Sequence, residues 1–200
     1  MKLVIIDTNC ANLTSVKFAF ERLGITPIIS DDKEVILSAD KVVLPGVGTA
    51  EFAMNELSKK GLIDIVRQIK VPLLGICLGM QLLGEYSLEG QNAKIDTLNL
   101  IANTTHKLEV GELPLPHMGW NKLYFDDVNH PLFKDINNGD FVYFVHSYRM
   151  AVGANTLATC KYGEKFSAIV GQGNYFGMQF HPEKSGKVGL QLLKNFVENI

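Results

Sequence analysis

Strand-like and helix-like segments alternate in the first half of the chain, up to Tyr86, and this alternation constrains the fold more than any other feature of the sequence. Apolar runs typical of buried strands are separated by segments whose apolar side chains recur at helical spacing. The pattern predicts strands at residues 3–7, 28–30, 41–44 and 71–76, and helices at 13–23, 33–37, 50–59 and 62–69. Such alternation favours a parallel sheet that is covered by helices on both faces.

The pattern changes after Tyr86, where most segments are strand-like and are joined by turn residues. It predicts strands at residues 98–110, 121–125, 141–145, 157–162, 166–170 and 175–180, followed by a last helix at 188–197. That helix carries Leu190, Leu193 and Val197 on one apolar face. We therefore expect an α/β fold: an open, mostly parallel, flavodoxin-like sheet flanked by helices, with an antiparallel extension in the second half.

Composition limits the number of domains and the classes of partner. A chain of 200 residues is long enough for one buried core and too short for two ordinary enzyme domains, so residues 1–200 are expected to form one domain. Its 19 basic and 21 acidic side chains form no basic stripe, which argues against a nucleic-acid partner. No stretch is apolar for long enough to span a membrane. Three scattered cysteines fit a reducing compartment, so we expect a cytoplasmic protein.

Cys77 follows an apolar run and directly precedes a helix-like pattern, an arrangement typical of a nucleophile elbow. Gly75 and Gly79 lie two residues to either side of it, where strand and helix backbones approach so closely that a Cβ atom would collide. A thiol in the first turn of a helix is also near unpaired backbone N–H groups, which favour the reactive thiolate. Cys77 is therefore a candidate nucleophile. The alternative is a core cysteine that only fills space.

His181 stands at the end of a predicted strand, where Pro182 stops strand pairing because it lacks an N–H group. Glu183 can reach the second ring nitrogen of His181 from beyond this rigid turn. Together with Cys77, these residues supply the nucleophile, the general base and the orienting acid of a catalytic triad. A structural histidine is the alternative. Neither a metal nor a cofactor is predicted, because CxxC and HxxxH spacings are absent from the sequence.

The glycine-rich loop at residues 45–48 follows the predicted strand at 41–44 and therefore lies at the same edge of the sheet as Cys77. A backbone N–H group of Gly46 or Val47, with that of Leu78, could form an oxyanion hole for a reacting carbonyl. Taken alone, a GxG sequence leaves a plain tight turn and a phosphate-binding loop open.

These segments, at residues 45–48, 75–81 and 179–183, closely resemble the triad-type, class I glutamine amidotransferases, and the resemblance spans nearly the whole chain. In that family a cysteine attacks the side-chain amide of glutamine, ammonia leaves, and water hydrolyses the thioester to glutamate. The resemblance implies that Cys77 is the nucleophile, His181 the general base and acid, and Glu183 the orienting acid. It assigns the binding of glutamine or its oxyanion to Gly46, Val47, Gly48, Leu78, Gln81, Ser147 and Tyr148.

Two longer motifs, at residues 116–121 and 143–148, are similar to the glutaminase subunits of imidazole glycerol phosphate synthases. This resemblance implies a heterodimer with a (β/α)8-barrel cyclase of histidine biosynthesis. The cyclase uses the ammonia to make imidazole glycerol phosphate and an aminoimidazole carboxamide ribonucleotide. The partner interface is expected to include Asn12, Trp120, Asn121 and Tyr143. From spacing alone, Trp120, Tyr143, Phe144 and Tyr148 fit core aromatics of the sheet instead.

The opening segment at residues 7–13 departs from that family's usual start, with Thr8, Asn9 and Ala11 in place of a tyrosine and two glycines. Loop geometry near the interface is therefore expected to differ. Two other functions remain open. A glutaminase of anthranilate, guanylate or pyridoxal phosphate synthesis would share the triad, but the segment at 116–121 disfavours it. A noncatalytic α/β protein in which Cys77 senses oxidants would leave Glu183 without a role.

Overall fold

The computed structural model describes residues 1–9, 12–90 and 94–200, and within these ranges the chain forms thirteen strands, six α-helices and two short 3₁₀ turns. The strands are β1 (Leu3–Ile6), β2 (Ile28–Ser30), β3 (Lys41–Gly46), β4 (Leu73–Cys77), β5 (Tyr86–Ser87), β6 (Ile95–Asp96), β7 (Thr105–Lys107), β8 (His117–Lys122), β9 (Phe141–His146), β10 (Tyr148–Met150), β11 (Thr156–Tyr162), β12 (Glu164–Gln172) and β13 (Tyr175–Met178). The helices are α1 (Leu13–Glu21), α2 (Lys33–Leu37), α3 (Ala50–Lys59), α4 (Ile63–Gln68), α5 (Leu78–Leu82) and α6 (Gly186–Asn199), and the 3₁₀ turns are Pro131–Phe133 and Pro182–Lys184.

One large sheet runs through the protein in the order β11-β12-β13-β4-β3-β1-β2. The strands from β13 to β2 are parallel to one another, whereas β12 and β11 pair antiparallel with their neighbours. Two smaller sheets, β10-β7-β5-β6 and β8-β9, are formed mainly by the second half of the chain. The predicted α/β fold, with a mostly parallel sheet and an antiparallel extension, is therefore confirmed.

Alternate residues of the central strands point to opposite faces of the large sheet and enter two separate buried clusters. In β1, Leu3 and Ile5 join the cluster that includes α1 and α6, whereas Val4 and Ile6 join the cluster that includes α2, α3, α4 and α5. Complete burial of a side chain of this size contributes about 1.5–3 kcal/mol. Burial on both faces therefore explains why these strands read as continuous apolar runs.

The carboxyl ends of β3 and β4 meet at one edge of the sheet. Gly46, the last residue of β3, pairs with Cys77, the last residue of β4. On the other side of β4 lies β13, after which the chain leads to His181. Ligand sites in open parallel sheets form at this edge. The topology thus brings the three motifs of the sequence to one place.

The strand predicted at residues 98–110 is wrong for most of its length, because only Thr105–Lys107 belongs to a sheet. The backbone N–H groups of this segment bond instead to carbonyl groups at the end of α5: that of Leu98 to Leu82, and those of Leu100 and Ile101 to the capping residue Leu83. Two of these side chains are fully buried in the cluster that contains α5. A loop that covers a helix end therefore imitates the apolar pattern of a strand.

Two smaller differences concern β8 and α6. The strand predicted at 121–125 begins earlier, at His117, and ends at Lys122, because antiparallel pairing with β9 sets its length. On α6, Leu190 is only half-buried, whereas Leu192 and Phe196 are fully buried in the core. Leu193 and Val197 of the predicted face are buried as expected, so the buried face of α6 includes them and extends to Leu192 and Phe196 instead of Leu190.

Candidate active site

Cys77 occupies a sharp turn between β4 and α5. Its backbone has φ 54° and ψ −113°, a conformation that a residue with a side chain rarely adopts. A Cβ atom added at Gly75 would lie 2.6 Å from the carbonyl oxygen of Gly79, so the strand and the helix touch through their backbones. Strained backbone of this kind persists where the surrounding structure fixes it, as at active sites. The turn therefore has the geometry of a nucleophile elbow.

His181 and Glu183 form a buried pair next to Cys77. The Nδ1 atom of His181 lies 2.8 Å from the Oε1 atom of Glu183, and their side chains are only 7% and 2% exposed. The second carboxylate oxygen of Glu183 is buried and has no hydrogen-bond partner in the described part of the chain. Cys77 also interacts with the His181 ring, since its side chain contributes to the raised pKa of His181, and both residues line one cavity. The structure thus brings the three residues of the predicted triad together in the predicted order.

The environment of His181 favours a protonated ring. Burial by itself lowers the pKa of His181, but its interactions with Cys77 and Glu183, and the negative charges these partners can carry, raise it overall to about 10. A charged imidazolium is thereby held between a carboxylate and a sulfur atom. This arrangement suits a thiolate–imidazolium pair, which is the reactive form of a cysteine nucleophile.

The Cys77 sulfur has two further polar neighbours. Its Sγ atom lies 3.8 Å from the carbonyl oxygen of Val145 and 3.9 Å from the Nε2 atom of Gln179. Gln179 is completely buried, and its Oε1 atom accepts a hydrogen bond of 2.9 Å from Gln81. Gln179 belongs to one of the motifs of the sequence, but no role was predicted for it. The sequence does show a polar residue between two apolar ones, Met178 and Phe180, and this pattern could have indicated a role for Gln179.

A cavity of about 330 Å³ opens beside these residues. All but one of the residues predicted to bind glutamine line it together with Cys77 and His181: Val47, Gly48, Leu78, Gln81, Ser147 and Tyr148. Gly46 is the exception. It lies behind the loop in β3, where an added Cβ atom would be 2.8 Å from the backbone nitrogen of Gly79. Gly46 therefore allows the close approach of β3 and α5 rather than lining the cavity.

Glu89 also lines the cavity, although it was not predicted as a site residue. Its Oε2 atom accepts a hydrogen bond of 3.1 Å from the backbone nitrogen of Ala50, the first residue of α3. Burial raises the pKa of the Glu89 carboxyl group, although this hydrogen bond opposes the effect. No local pattern distinguishes Glu89 from a surface glutamate, because its position depends on the fold of the loop after β5.

The predicted interface residues occupy different positions. Trp120 is 55% exposed and meets Tyr143 edge to face, with ring centroids 5.8 Å apart, on the outer face of β8 and β9. Phe144 points the other way and is fully buried, so it is a core aromatic. The structure does not bring Asn121 to the outer face, since its amide bonds inward to His117 and to the carbonyl of Lys161.

Asn12 lies apart from that face, at the start of α1, where its exposed side chain accepts a hydrogen bond from the backbone of Ser15. Cys10 and Ala11, in the divergent opening segment, lie outside the described residues. The third cysteine, Cys160, is buried in the core, and burial raises its pKa to about 12. Its thiol is therefore protonated and inert beside that of Cys77.

The described residues contain no group of three or more His, Cys, Asp or Glu side chains arranged to hold a metal ion. In the same ranges, none of the helices combines the length and the apolar character that crossing a membrane requires.

Comparison with known proteins agrees with the geometry. The family model for class-I glutamine amidotransferases matches residues 4–200. Imidazole glycerol phosphate synthase subunit HisH of Vibrio parahaemolyticus is 56% identical over 200 residues, covering 98% of each chain. The protein of the same name from Photobacterium profundum is also 56% identical, covering 98% of this chain and 97% of the relative. The crystal structure of a glutamine amidotransferase has a TM-score of 0.74 at 19% identity, covering 98% of this chain and 97% of that one, and so supports the fold alone.

Proposed function

This chain belongs to the class-I glutamine amidotransferases, and from that membership we propose that it is the glutaminase subunit of an imidazole glycerol phosphate synthase in histidine biosynthesis. The observation that carries the proposal is that Cys77 and His181 line the same cavity, while Glu183 is held against the Nδ1 atom of His181. The cavity volume of about 330 Å³ suits a small amino acid such as glutamine.

The proposed reaction uses the three residues in turn. The Cys77 thiolate attacks the carboxamide carbon of glutamine, forming an S–C bond, while the carbonyl electrons move to oxygen. The His181 imidazolium donates its proton to the amide nitrogen, and the C–N bond breaks to release ammonia and leave a thioester. His181 then takes a proton from water, whose oxygen attacks the thioester carbon. The C–S bond breaks, thiolate is restored and glutamate leaves, while Glu183 stays ionised and orients the ring.

Polar groups around the cavity suit the two ends of a glutamine molecule. Both hydrogens of the Gln81 amide nitrogen are donated within the protein, to the Tyr148 carbonyl at 3.0 Å and to Gln179 at 2.9 Å. The Oε1 atom of Gln81 is thereby oriented as an acceptor for glutamine. The Glu89 carboxylate is positioned for the α-ammonium group. The backbone of Ser147 and Tyr148 is proposed to receive the α-carboxylate.

The developing oxyanion needs donors on the opposite side of the reacting carbon. We assign this role to the N–H group of Leu78 and to the loop residues Val47 and Gly48, which line the cavity. Gly48 has φ +94°, so this loop contains a turn that a side chain would disfavour. Loss of one oxyanion donor typically costs about 3 kcal/mol of transition-state stabilisation.

Ammonia must reach its acceptor without mixing with the solvent, because the free base is mostly protonated near neutral pH. We propose that a (β/α)8-barrel cyclase docks on the outer face of β8 and β9. Met118, Trp120 and Phe141 on this face are 62%, 55% and 48% exposed. Val145 pairs with Met118 and also lines the cavity, so the apolar face lies next to the reacting sulfur. Exposed tryptophan and methionine are typical of such interfaces.

Two further expectations belong to the same proposal. We propose that residues 1–200 form one domain, since both buried clusters pack against opposite faces of one sheet. We also propose a cytoplasmic location, because the cysteines Cys77 and Cys160 in the described part of the chain are free thiols, as a reducing compartment favours.

Glutamate release provides the test of the proposed function. The chain is assayed with glutamine, in complex with the barrel cyclase and in the presence of the cyclase's nucleotide substrate. We expect release in the wild type and a loss of at least about 10³-fold in Cys77→Ala. Cys160→Ala, at the inert thiol, is the matched control and should remain active. An inactive wild-type complex, or an active Cys77→Ala, would contradict the proposal.

A further inference from the structure

Two buried histidines, His117 and His146, have no role in the reaction described above, although His146 is among the residues that line the cavity. The Nδ1 atom of His117 is 2.9 Å from the Nε2 atom of His146. Both side chains are nearly inaccessible, and His117 stacks against Tyr162 and Phe144 with ring centroids 4.1 and 4.8 Å apart. The pair joins the ends of β8 and β9, which pair in register at these two residues.

The hydrogen-bond partners of the pair determine where its protons lie. The Nδ1 atom of His146 is 2.9 Å from the carbonyl oxygen of Tyr148, which can only accept, so this nitrogen carries hydrogen. The Nε2 atom of a neutral His146 must then accept, and His117 donates to it through Nδ1–H. The remaining Nε2 atom of His117 accepts from the amide of Asn121 at 3.2 Å. The donor and the acceptor of every hydrogen bond in this series, from Asn121 through the two histidines to Tyr148, are therefore fixed.

Both rings must be neutral for this series of hydrogen bonds to form, because a second proton on either ring would remove an acceptor. Burial lowers the pKa of His117 to about 4 and is the main reason why the pKa of His146 falls to about 3. Neutral rings with fixed tautomers are thus the stable state around neutral pH. Protonated His181 nearby adds to this effect at His146.

The series of hydrogen bonds ends at the carbonyl oxygen of Tyr148, a residue that lines the cavity. The Tyr148 carbonyl accepts from His146 on one side and from the Gln81 amide on the other. The second hydrogen of that amide is donated to Gln179, whose own amide faces the Cys77 sulfur. If His146 stopped donating, the Tyr148 carbonyl could turn, and Gln81 would lose the constraint that directs its Oε1 atom. A change in the histidine pair would thereby alter the orientation of Gln81 in the glutamine site.

We propose that His146, held in its Nδ1–H tautomer by His117, is a positioning residue for glutamine: it fixes the Tyr148 carbonyl and, through it, the orientation of Gln81. The inference rests on the proposed glutaminase function. It assigns to the histidine pair an effect on glutamine binding rather than on the chemical step. His146 lines the cavity, but neither histidine takes part in the bond-making and bond-breaking steps described above.

Asparagine and glutamine at position 146 separate this role from simple packing. The amide nitrogen of asparagine can take the place of Nδ1 and donate to the Tyr148 carbonyl, whereas the amide of glutamine reaches the place of Nε2 and bonds only toward His117. Steady-state glutamate release by the complex with the cyclase is measured for both variants. We expect His146→Gln to raise KM for glutamine about tenfold with kcat changed less than about threefold, and His146→Asn to raise KM less than about threefold.

The same exchange at position 117 provides a second, independent comparison. His117→Asn retains a donor toward His146, whereas His117→Gln does not, so only the glutamine variant should raise KM for glutamine. This comparison decides the matter if the variants at position 146 do not fold. Equal KM values for the two variants of a pair, whether raised or unchanged, overturn the inference. A wild-type complex without glutaminase activity contradicts the proposed function instead.

Discussion

The Nδ1 atom of His181 lies 2.8 Å from the Oε1 atom of Glu183, only two residues further along the chain. The 3₁₀ turn that begins with Pro182 makes this short-range contact possible, because it folds the carboxylate back onto the ring. Base and orienting acid are therefore a local unit, and only the nucleophile comes from a distant strand. One long-range contact, between β4 and β13, completes the arrangement.

Glu183→Gln should impair catalysis while leaving the fold intact. An amide cannot stabilise the imidazolium, and it favours the wrong ring tautomer, so kcat should fall by about 10²- to 10⁴-fold. Steady-state glutamate release by the complex with the cyclase measures this change. Glu198→Gln, at a half-exposed carboxylate on α6, is the matched control and should keep kcat within about twofold. A Glu183→Gln variant with wild-type kcat would remove the orienting role.

The proton on His181 should persist well above neutral pH. Its folded-state pKa of about 10 exceeds the ordinary value of 6.5. The protonated ring therefore stabilises the folded state. This contribution to stability is complete below about pH 6.5 and is lost as pH rises toward 10. Nuclear magnetic resonance of ring-labelled histidine should show His181 charged at pH 8, and Glu183→Gln should lower its pKa. His117 and His146, whose pKa values are about 4 and 3, should stay neutral at pH 6. A His181 ring that loses its proton near pH 6.5 would contradict the assignment.

Gly79→Ala should destabilise the fold, because a Cβ atom there would overlap the carbonyl oxygen of Leu44 in β3. Such overpacking typically costs about 1–3 kcal/mol, and a backbone obstacle raises the cost further. The midpoint of urea unfolding measures it. Gly153→Ala is the control, since its Cβ atom would meet nothing within 4 Å. Equal midpoints for the two variants would mean that α5 and β3 do not touch as described.

Trp120→Ala should weaken the complex with the cyclase without weakening the fold. The side chain is 55% exposed on the proposed docking face, and buried tryptophan anchors at interfaces contribute about 2 kcal/mol or more, or roughly 30-fold in Kd. Titration of the labelled cyclase measures Kd, and a thermal melt checks stability. Phe52→Ala, at a similarly exposed aromatic on α3, should leave Kd unchanged. If Trp120→Ala lowers the melting temperature but leaves Kd unchanged, Trp120 stabilises the fold and does not contact the cyclase.

The sequence predicted those features that depend on local geometry. The spacing of Gly75, Cys77 and Gly79 is sufficient to predict the elbow, because steric contact within one strand–turn–helix unit requires it. The histidine, proline and glutamate at residues 181–183 are equally local. Alternating strands and helices likewise predicted the parallel sheet, whose strands are buried on both faces.

Features that depend on convergence of distant segments could not be read from the sequence. Glu89 reaches the cavity only because the loop after β5 folds over the start of α3. Gln179 acquires its partner Gln81 from α5, and His117 and His146 meet only because β8 pairs with β9. The misassigned strand at 98–110 has the same origin, since an apolar run that covers a helix end has the composition of a strand.

The central claim is that the Cys77 sulfur attacks the side-chain carbon of bound glutamine. Labelling with an electrophilic analogue of glutamine tests this claim most directly. The complex with the cyclase is treated with the analogue, and the modified residue is identified by mass spectrometry. We predict one adduct, on Cys77, that is suppressed by excess glutamine, absent from Cys77→Ser and retained in Cys160→Ala. Modification of Cys77 by peroxide but not by the analogue, or labelling that glutamine does not suppress, would contradict the account and favour a thiol that senses oxidants.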